Sequence, residues 1–239
     1  MVGFAPALAC RMNVPVPIHE PLSADALRSR FKARHDDYGE DNRVRIHRAL
    51  SWLRRAEQEL EDPDARFIFL WIAFNASYAH EFGHEEAERE QLSRFFARLL
   101  TVDGDGRLHA LLFQRFSGPI RTLIDNRYVF APFWRALREH DGSGHWEQSF
   151  TASKQAALAR LLGGDTLAVL SILFERLYVL RCSLVHGGAT WRSQVNRAQV
   201  QDGVNLLHST VPVILDLMID HPSLELGAVA FPVVRTGQS

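Results

Sequence analysis

The sequence predicts an all-α protein, a single-domain antiparallel helical bundle joined by short loops, with an irregular N-terminal extension and a short extended C-terminal tail. Three observations lead there. Apolar residues recur at three- and four-residue steps in one segment after another; strand-type alternation is nearly absent; and capping residues, glycines and prolines punctuate the chain at helix-length intervals. There is no fixed-period repeat and no low-complexity tract. With 239 residues, 46% of them hydrophobic and 23% charged, the chain can bury a substantial core.

Residues 1–40 read as an extension that leans on the main domain. Prolines stand at 6, 15, 17 and 21, a mixed-charge run RFKARHDDYGED follows, and a short helix fits Ala24 to Arg34. The helical domain spans 41–221. Ile46, Leu50, Leu53 and Leu60 line one face of a first long helix running to about Glu61. Asp62-Pro63 then ends it and starts the next, with Asp62 as cap and Pro63 at the first helical position. That next helix, ARFIFLWIAFNASYAHEF, is apolar nearly all round and so belongs in the middle of a bundle, with Asn75 its conspicuous polar residue. After Gly83, a helix from about Glu85 to Leu100 turns Leu92, Phe95, Phe96 and Leu99 inward. Short helices are expected over 108–116, 119–125, 131–140 and 154–162, with a flexible link DGSGH at 141–145. The last helix starts near Asn196, with Gln199 placed as in a capping box, and Pro212 predicts a kink near Leu207–His208. The tail, 222–239, is extended and either makes a short strand or lies across the bundle.

Charge and cysteine usage exclude several classes of function. A net charge of −1 leaves no global footprint for nucleic acid or an acidic membrane, so any such binding needs a local patch. Two cysteines, Cys10 and Cys182, rule out a disulfide framework and a four-cysteine zinc site. The start, MVGFAPALACRM, has no basic residue ahead of a long apolar run and no leucine three before Cys10; the longest apolar run, Phe67 to Phe74, is far too short to span a bilayer. The expectation is a cytoplasmic protein without membrane contact.

Two motifs invite a metal and fail on their surroundings. HEFGH at 80–84 is a literal H-E-x-x-H, which on one helix face gives two zinc ligands and a general base. The extended pattern needs glycine at 87 and a third ligand at 90, where the chain has Ala87 and Glu90, and Gly83 falls where the helical pattern ends. DGDG at 103–106 resembles a calcium loop, but its register puts Thr101 at the first ligand position and Leu112 where the bidentate glutamate belongs. It reads as a turn. Neither a metal nor a cofactor is expected.

The chemistry gathers instead at the end of Thr166–Gly188, TLAVLSILFERLYVLRCSLVHGG. Leu170, Leu173, Leu177, Leu180 and Leu184 form its apolar stripe, Asp165 or Thr166 can cap its start, and Gly187-Gly188 can supply the left-handed turn that ends it. Polar residues are held back to the last two turns, where Arg181 and His186 stand five apart with Cys182 and Ser183 between. A guanidinium is a permanently charged fork suited to phosphate, and an imidazole gives or takes a proton near neutral pH. Such a pair can cleave RNA without metal: the histidine helps the 2′-hydroxyl attack or protonates the leaving oxygen, and the arginine stabilises the phosphorane. Five residues of ideal helix, however, rotate two side chains about 140° apart. The pair converges only if the helix opens at Gly187-Gly188 or a second copy supplies the missing half. The alternative is structural: Arg181 in an ion pair, and His186 favoured by the negative helix end.

RLYVLRCSLVHGGATWRSQVNRAQVQDGVNLL resembles the signature region of the HEPN superfamily, close to its Apea-like branch, and FLWIAFNASYAHEF resembles the aromatic-rich helix upstream in that branch. The resemblance spans about Asp41 to the tail, and its specific part is an Arg-x(4–6)-His motif near a helix end. It implies a helical bundle that dimerises to place two motifs in one cleft. The activity it implies is that of a metal-independent endoribonuclease in toxin–antitoxin, phage-defence or RNA-processing systems, some paired with a nucleotidyltransferase-type antitoxin. Other members keep the fold as non-catalytic modules that bind a nucleotide, RNA or a partner protein. Carried onto this chain, Arg181 and His186 are the catalytic candidates. The residue after the arginine, commonly asparagine, aspartate or histidine, is here Cys182, a departure that favours the non-catalytic alternative. Cys182 and Ser183 can stand in for it in part. Asn75, Tyr178, Trp191 and Arg192 lie on the two resembling stretches as candidate cleft residues, with Trp191 placed to stack a base or to close the end of the bundle.

Overall fold

A computed structural model describes residues 22–78, 85–194 and 197–234, and among these it is all-helical, with no strand. Ser23 caps α1 (Ala24–Ala33), its Oγ accepting the Ala26 N–H at 3.2 Å. α1 contributes Leu27 and Phe31 to the same core as the later helices, and the Tyr38 hydroxyl just beyond it donates to the Ile219 carbonyl at 2.8 Å. α2 (Glu40–Glu57) stops one turn short of the expected Glu61, and Leu60 is 75% exposed rather than on the apolar face. The chain needs residues 58–61 to turn into the next cap. There Asp62 Oδ1 accepts from the N–H groups of Asp64 (3.0 Å) and Ala65 (3.1 Å), and Pro63 opens α3 (Pro63–Tyr78).

α3 occupies the centre. Phe67, Leu70, Ala73 and Phe74 have no solvent-accessible surface. α4 (Glu85–Val102) brings Phe96 to 6.1 Å, ring centre to ring centre, from Phe74, and Phe174 closes the triangle at 4.2 Å from Phe74 and 4.9 Å from Phe96. DGDG is a turn, as expected, and Asp103 is spent inside it. Its two carboxylate oxygens accept the N–H groups of Arg107 (2.8 Å) and Leu108 (2.9 Å), capping α5 (Arg107–Ala110). A π-helical turn over Leu111–Arg115 leads to α6 (Ser117–Ile124), a 3₁₀ turn over Arg127–Val129 and α7 (Ala131–Glu139). α8 (His145–Leu162) begins about two and a half turns earlier than the sequence suggested. Residues 147–153 are mostly exposed, so this stretch carries no apolar stripe to read. α9 (Thr166–Val185) starts at Asp165, whose Oδ1 accepts the Ala168 N–H at 3.1 Å. α10 (Arg197–Asp220) runs on through Pro212; Asn196, the expected cap, lies outside the described residues.

Two sets of charged contacts tie the ends to this core. Arg30 of α1 and Arg107 of α5 clasp Asp216 and Asp220 on α10 from either side, with Arg107 at 2.6 Å and 3.0 Å. The tail lies across the bundle. Its carbonyls are taken by side chains of the helices beneath: Asn42 Nδ2 donates to Leu224 (2.8 Å), Arg45 Nη2 to Ala228 (2.6 Å) and Arg98 Nη1 to Glu225 (2.8 Å). Arg45 is 1% exposed, and burial pulls its pKa down to about 10 against the opposing pull of Asp41. With its carbonyls bonded to guanidinium and amide groups, the tail has no need of a strand partner.

Gly203 of α10 sets how closely α10 approaches α3. A Cβ there would stand 2.7 Å from Phe67 Cε2 and 3.2 Å from Leu180 Cδ2. Helix propensity alone favours alanine over glycine by about 1 kcal/mol, but overpacking a rigid core ring costs about 1–3 kcal/mol. Gly203→Ala is therefore expected to lower the unfolding free energy by up to about 2 kcal/mol in a urea titration; a gain in stability would show that α10 can stand off from α3.

Candidate functional site at the end of α9

α9 stays helical to its last residue and then stops abruptly. The His186 N–H still donates four residues back, to Cys182 O at 3.0 Å. Gly187 adopts φ +71°, and the N–H groups of Gly187 and Gly188 fold back to Leu184 O (3.4 Å) and Ser183 O (2.7 Å). These two reversed bonds are the Schellman arrangement, and they satisfy carbonyls the helix end would otherwise leave bare. A side chain at 188 would meet Ser183 O and Oγ at 3.1 Å, so the second glycine is needed for close approach as the first is for its φ. The helix does not open. The angular separation of about 140° between Arg181 and His186 therefore stands within one chain.

Arg181 is half-buried and His186, the capping residue, is exposed. Arg181 Nη1 lies 3.8 Å from Cys182 Sγ, and its guanidinium carbon 5.9 Å from the centre of the Tyr178 ring. Among the described residues neither Arg181 nor His186 is in an ion pair. Cys182 is a half-buried free thiol. Ser183 serves the cap through its carbonyl. Val185, beside them, is 50% exposed. Tyr178 faces two ways: one turn back from Arg181, it also lines a small apolar cavity of about 90 Å³ with Trp71, Tyr78 and Phe174, over which Arg89 and Glu175 pair at 2.9 Å.

The loop after α9 docks on the start of α3. Trp191 Nε1 donates to Asp62 Oδ2 at 2.7 Å, the Arg192 N–H to Asp64 Oδ2 at 3.1 Å, and Arg197 Nη2 to both Asp64 oxygens at 2.9 Å. One carboxylate, Asp62, thus caps α3 through one oxygen and holds the loop through the other. Trp191 remains 67% exposed, so it does not close the end of the bundle. Arg192 (φ +55°) lays its guanidinium 4.5 Å over that ring. Asn75 is not part of this group: it lies eleven residues, ~17 Å, along α3 from Asp64, with Oδ1 buried and unpartnered among the described residues. The structure therefore brings Arg181, Cys182, Ser183, His186, Trp191 and Arg192 to the end of the bundle where α9 finishes and α3 and α10 begin.

The residues that build this end but escape sequence reading are Asp64 and Arg197. Their pairing is a contact across 133 positions with no local pattern to announce it. Asp62 was visible as a cap, though its second use was not.

No group of three or more His, Cys, Asp or Glu among the described residues is placed to hold a metal ion, and HEFGH at 80–84 lies outside them. No described helix is long and apolar enough to cross a membrane. Comparison of the chain with family models, curated proteins and solved structures gives no match.

Asp62 makes the docking sensitive to acid. Burial alone would raise its pKa, but the Trp191 indole and the N–H groups of Ala65 and Asp64 outweigh it and hold the carboxyl below its ordinary range. A carboxylate with a depressed folded pKa contributes stability that is present above the unfolded value of about 4 and is lost as pH falls through the folded one. Asp62→Ala is expected to cost about 1 kcal/mol at neutral pH. That difference from the parent should shrink below about pH 4 in paired urea titrations; a pH-independent difference would place the effect elsewhere.

Proposed function

We propose that the protein is a metal-independent endoribonuclease of HEPN type, acting as a homodimer in which Arg181 holds the scissile phosphate and His186 is the acid or base. The observation that carries this reading is the state of the two residues: an arginine and a histidine at the exposed end of a helix, neither neutralised by a carboxylate among the described residues, beside an exposed tryptophan that carries a second guanidinium. Free guanidinium charge binds phosphate, and an open aromatic face binds an unstacked base. Chemistry needs no more than these groups. The histidine takes the 2′-hydroxyl proton as the oxygen attacks phosphorus, the 5′-oxygen leaves with a proton from an imidazolium, and the ends formed are a 2′,3′-cyclic phosphate and a 5′-hydroxyl.

The unbroken helix argues for two copies. Within one chain the two side chains leave the axis about 140° apart, so a phosphate gripped by Arg181 is best served by a histidine from a partner. Val185, half-exposed on the same turn, supplies apolar surface for such a contact. A cleft of this kind sits in a toxin of a toxin–antitoxin pair or in a phage-defence nuclease, with the antitoxin, of nucleotidyltransferase or other type, covering it. The second reading, a non-catalytic module that binds RNA, a nucleotide or a partner protein, is favoured by one feature, the thiol of Cys182 where a stronger hydrogen-bonding group would steady the arginine.

RNA cleavage in EDTA separates the two. The parent is expected to cut single-stranded RNA and leave 2′,3′-cyclic ends, with activity falling at least about 100-fold in Arg181→Ala and in His186→Ala. Binding without cleavage by a folded dimer would support the second reading and overturn the first.

The composite site makes a sharper demand. Mixing Arg181→Ala with His186→Ala, after dissociation and reassociation, should restore activity, because one of the two sites in each mixed dimer then has an intact arginine from one chain and an intact histidine from the other. A mixture as inactive as its parts would place both groups of each site on one chain.

A further inference from the structure

On another face of the bundle, Asn126 occupies a position its own hydrogen bonds do not fully use. It caps the 3₁₀ turn Arg127–Val129, its Oδ1 accepting the Tyr128 N–H at 2.9 Å. That bond fixes which end of the amide is which and leaves Nδ2 as the donor on the other side. Asn126 is 9% exposed, and Nδ2 is buried with no hydrogen-bond partner among the described residues. An amide donor held that way has given up its hydrogen bond to water without a replacement.

Asn126 lines a groove of about 570 Å³ between α6, the 3₁₀ turn, α8 and the start of α10. Arg121, Arg127, Tyr128, Phe150 and Gln199 line it too. Arg121 is exposed and in no ion pair among the described residues. The Arg127 guanidinium has neutral partners: it donates to the Tyr128 hydroxyl at 3.0 Å and lies 5.7 Å from the centre of the Phe133 ring. The one carboxylate on the lining, Asp125, is paired with Lys154 of α8. Gln199 stands in the first turn of α10, a 24-residue helix whose N-terminus carries partial positive charge. Behind Phe150 lies a third guanidinium, Arg176, 3% exposed and held by Ser153 Oγ at 3.0 Å and the face of Phe130 at 4.5 Å.

We infer that this groove is a binding site for a small phosphorylated ligand, with the phosphate between Arg121 and Arg127 near the start of α10 and the unpartnered amide of Asn126 in the groove wall. Two forked guanidiniums, with the one carboxylate of the lining engaged by Lys154, suit a dianionic phosphate. The volume exceeds what phosphate alone would fill, and Tyr128 and Phe150 offer ring surface to the rest of the molecule. The site is formed by other residues than the end of α9 and stands or falls independently of the nuclease reading.

Calorimetric titration of the full chain tests it, with inorganic phosphate and phenyl phosphate as probes. Both are expected to bind, phenyl phosphate more tightly because it also covers ring surface. Arg121→Gln should weaken phenyl phosphate about tenfold or more, the loss expected for one charge-assisted contact. Asn126→Asp keeps the oxygen that caps the turn, places a carboxylate oxygen where the donor was, and should abolish binding. Arg138→Gln, the same change of charge on the exposed face of α7, should leave the affinity unchanged. Arg121→Gln is an exposed substitution that leaves folding intact, so it decides the matter even if Asn126→Asp fails to fold. Absence of heat with both probes, or equal weakening by Arg121→Gln and Arg138→Gln, would overturn the proposal.

Discussion

Everything in this protein is arranged around the need to cover α3 on every side. A helix with Phe67, Leu70, Trp71 and Phe74 on one face and Ile68 and Phe69 on others has no side fit for water, and burial of each large side chain is worth about 1.5–3 kcal/mol. α2, α4, α9 and α10 are the elements that meet this demand. The Phe74–Phe96–Phe174 cluster fixes α4 and α9 against it, and Gly203 lets α10 approach to the distance of bare backbone. Cover from both directions along the chain explains why α1, inside what reads as an irregular extension, is part of the same core.

The same constraint delivers the candidate site. With Leu180 and Gly203 both packed at Phe67, near the start of α3, the end of α9 and the beginning of α10 are carried to the same end of the bundle. The loop between them then has only a short gap to cross, and Asp62 and Asp64 at the start of α3 are there to receive it. Asp64 pairs with Arg197 and Asp62 accepts from the Trp191 indole with the Arg192 charge acting on it, while Arg181 is in no ion pair among the described residues. Charge balance across a whole chain says little about a patch when the acids are spent on caps and clasps, as Asp62, Asp64, Asp103, Asp216 and Asp220 are.

Most of the fold was legible because its signals are local. Asp62-Pro63 announced the start of α3, Asp165 that of α9, and Gly187-Gly188 the reversal that ends it, each through a few consecutive residues. The leucine stripe of α9 and the inward set Leu92, Phe95, Phe96 and Leu99 follow from helical period alone. What escaped has no period. The first half of α8 is exposed and carries no stripe, and Leu60 fits the apolar pattern of a helix that had already stopped. At the candidate site the Arg-x4-His spacing was visible, as was the divergence it entails. The Asp64–Arg197 clasp was not, and neither was the groove at Asn126, because both join segments more than 70 residues apart. Asn75 shows the converse: a polar residue conspicuous in sequence that lies far along α3 from the chemistry.

The central claim is that the end of α9 is half a site. Sedimentation velocity across the micromolar range is the most direct test, run on the parent and on Val185→Asp, which places a charge on the exposed apolar residue beside His186. The account predicts a parent dimer and a folded, monomeric variant. A parent that stays monomeric at every concentration, or a dimer indifferent to the charge at 185, would contradict it.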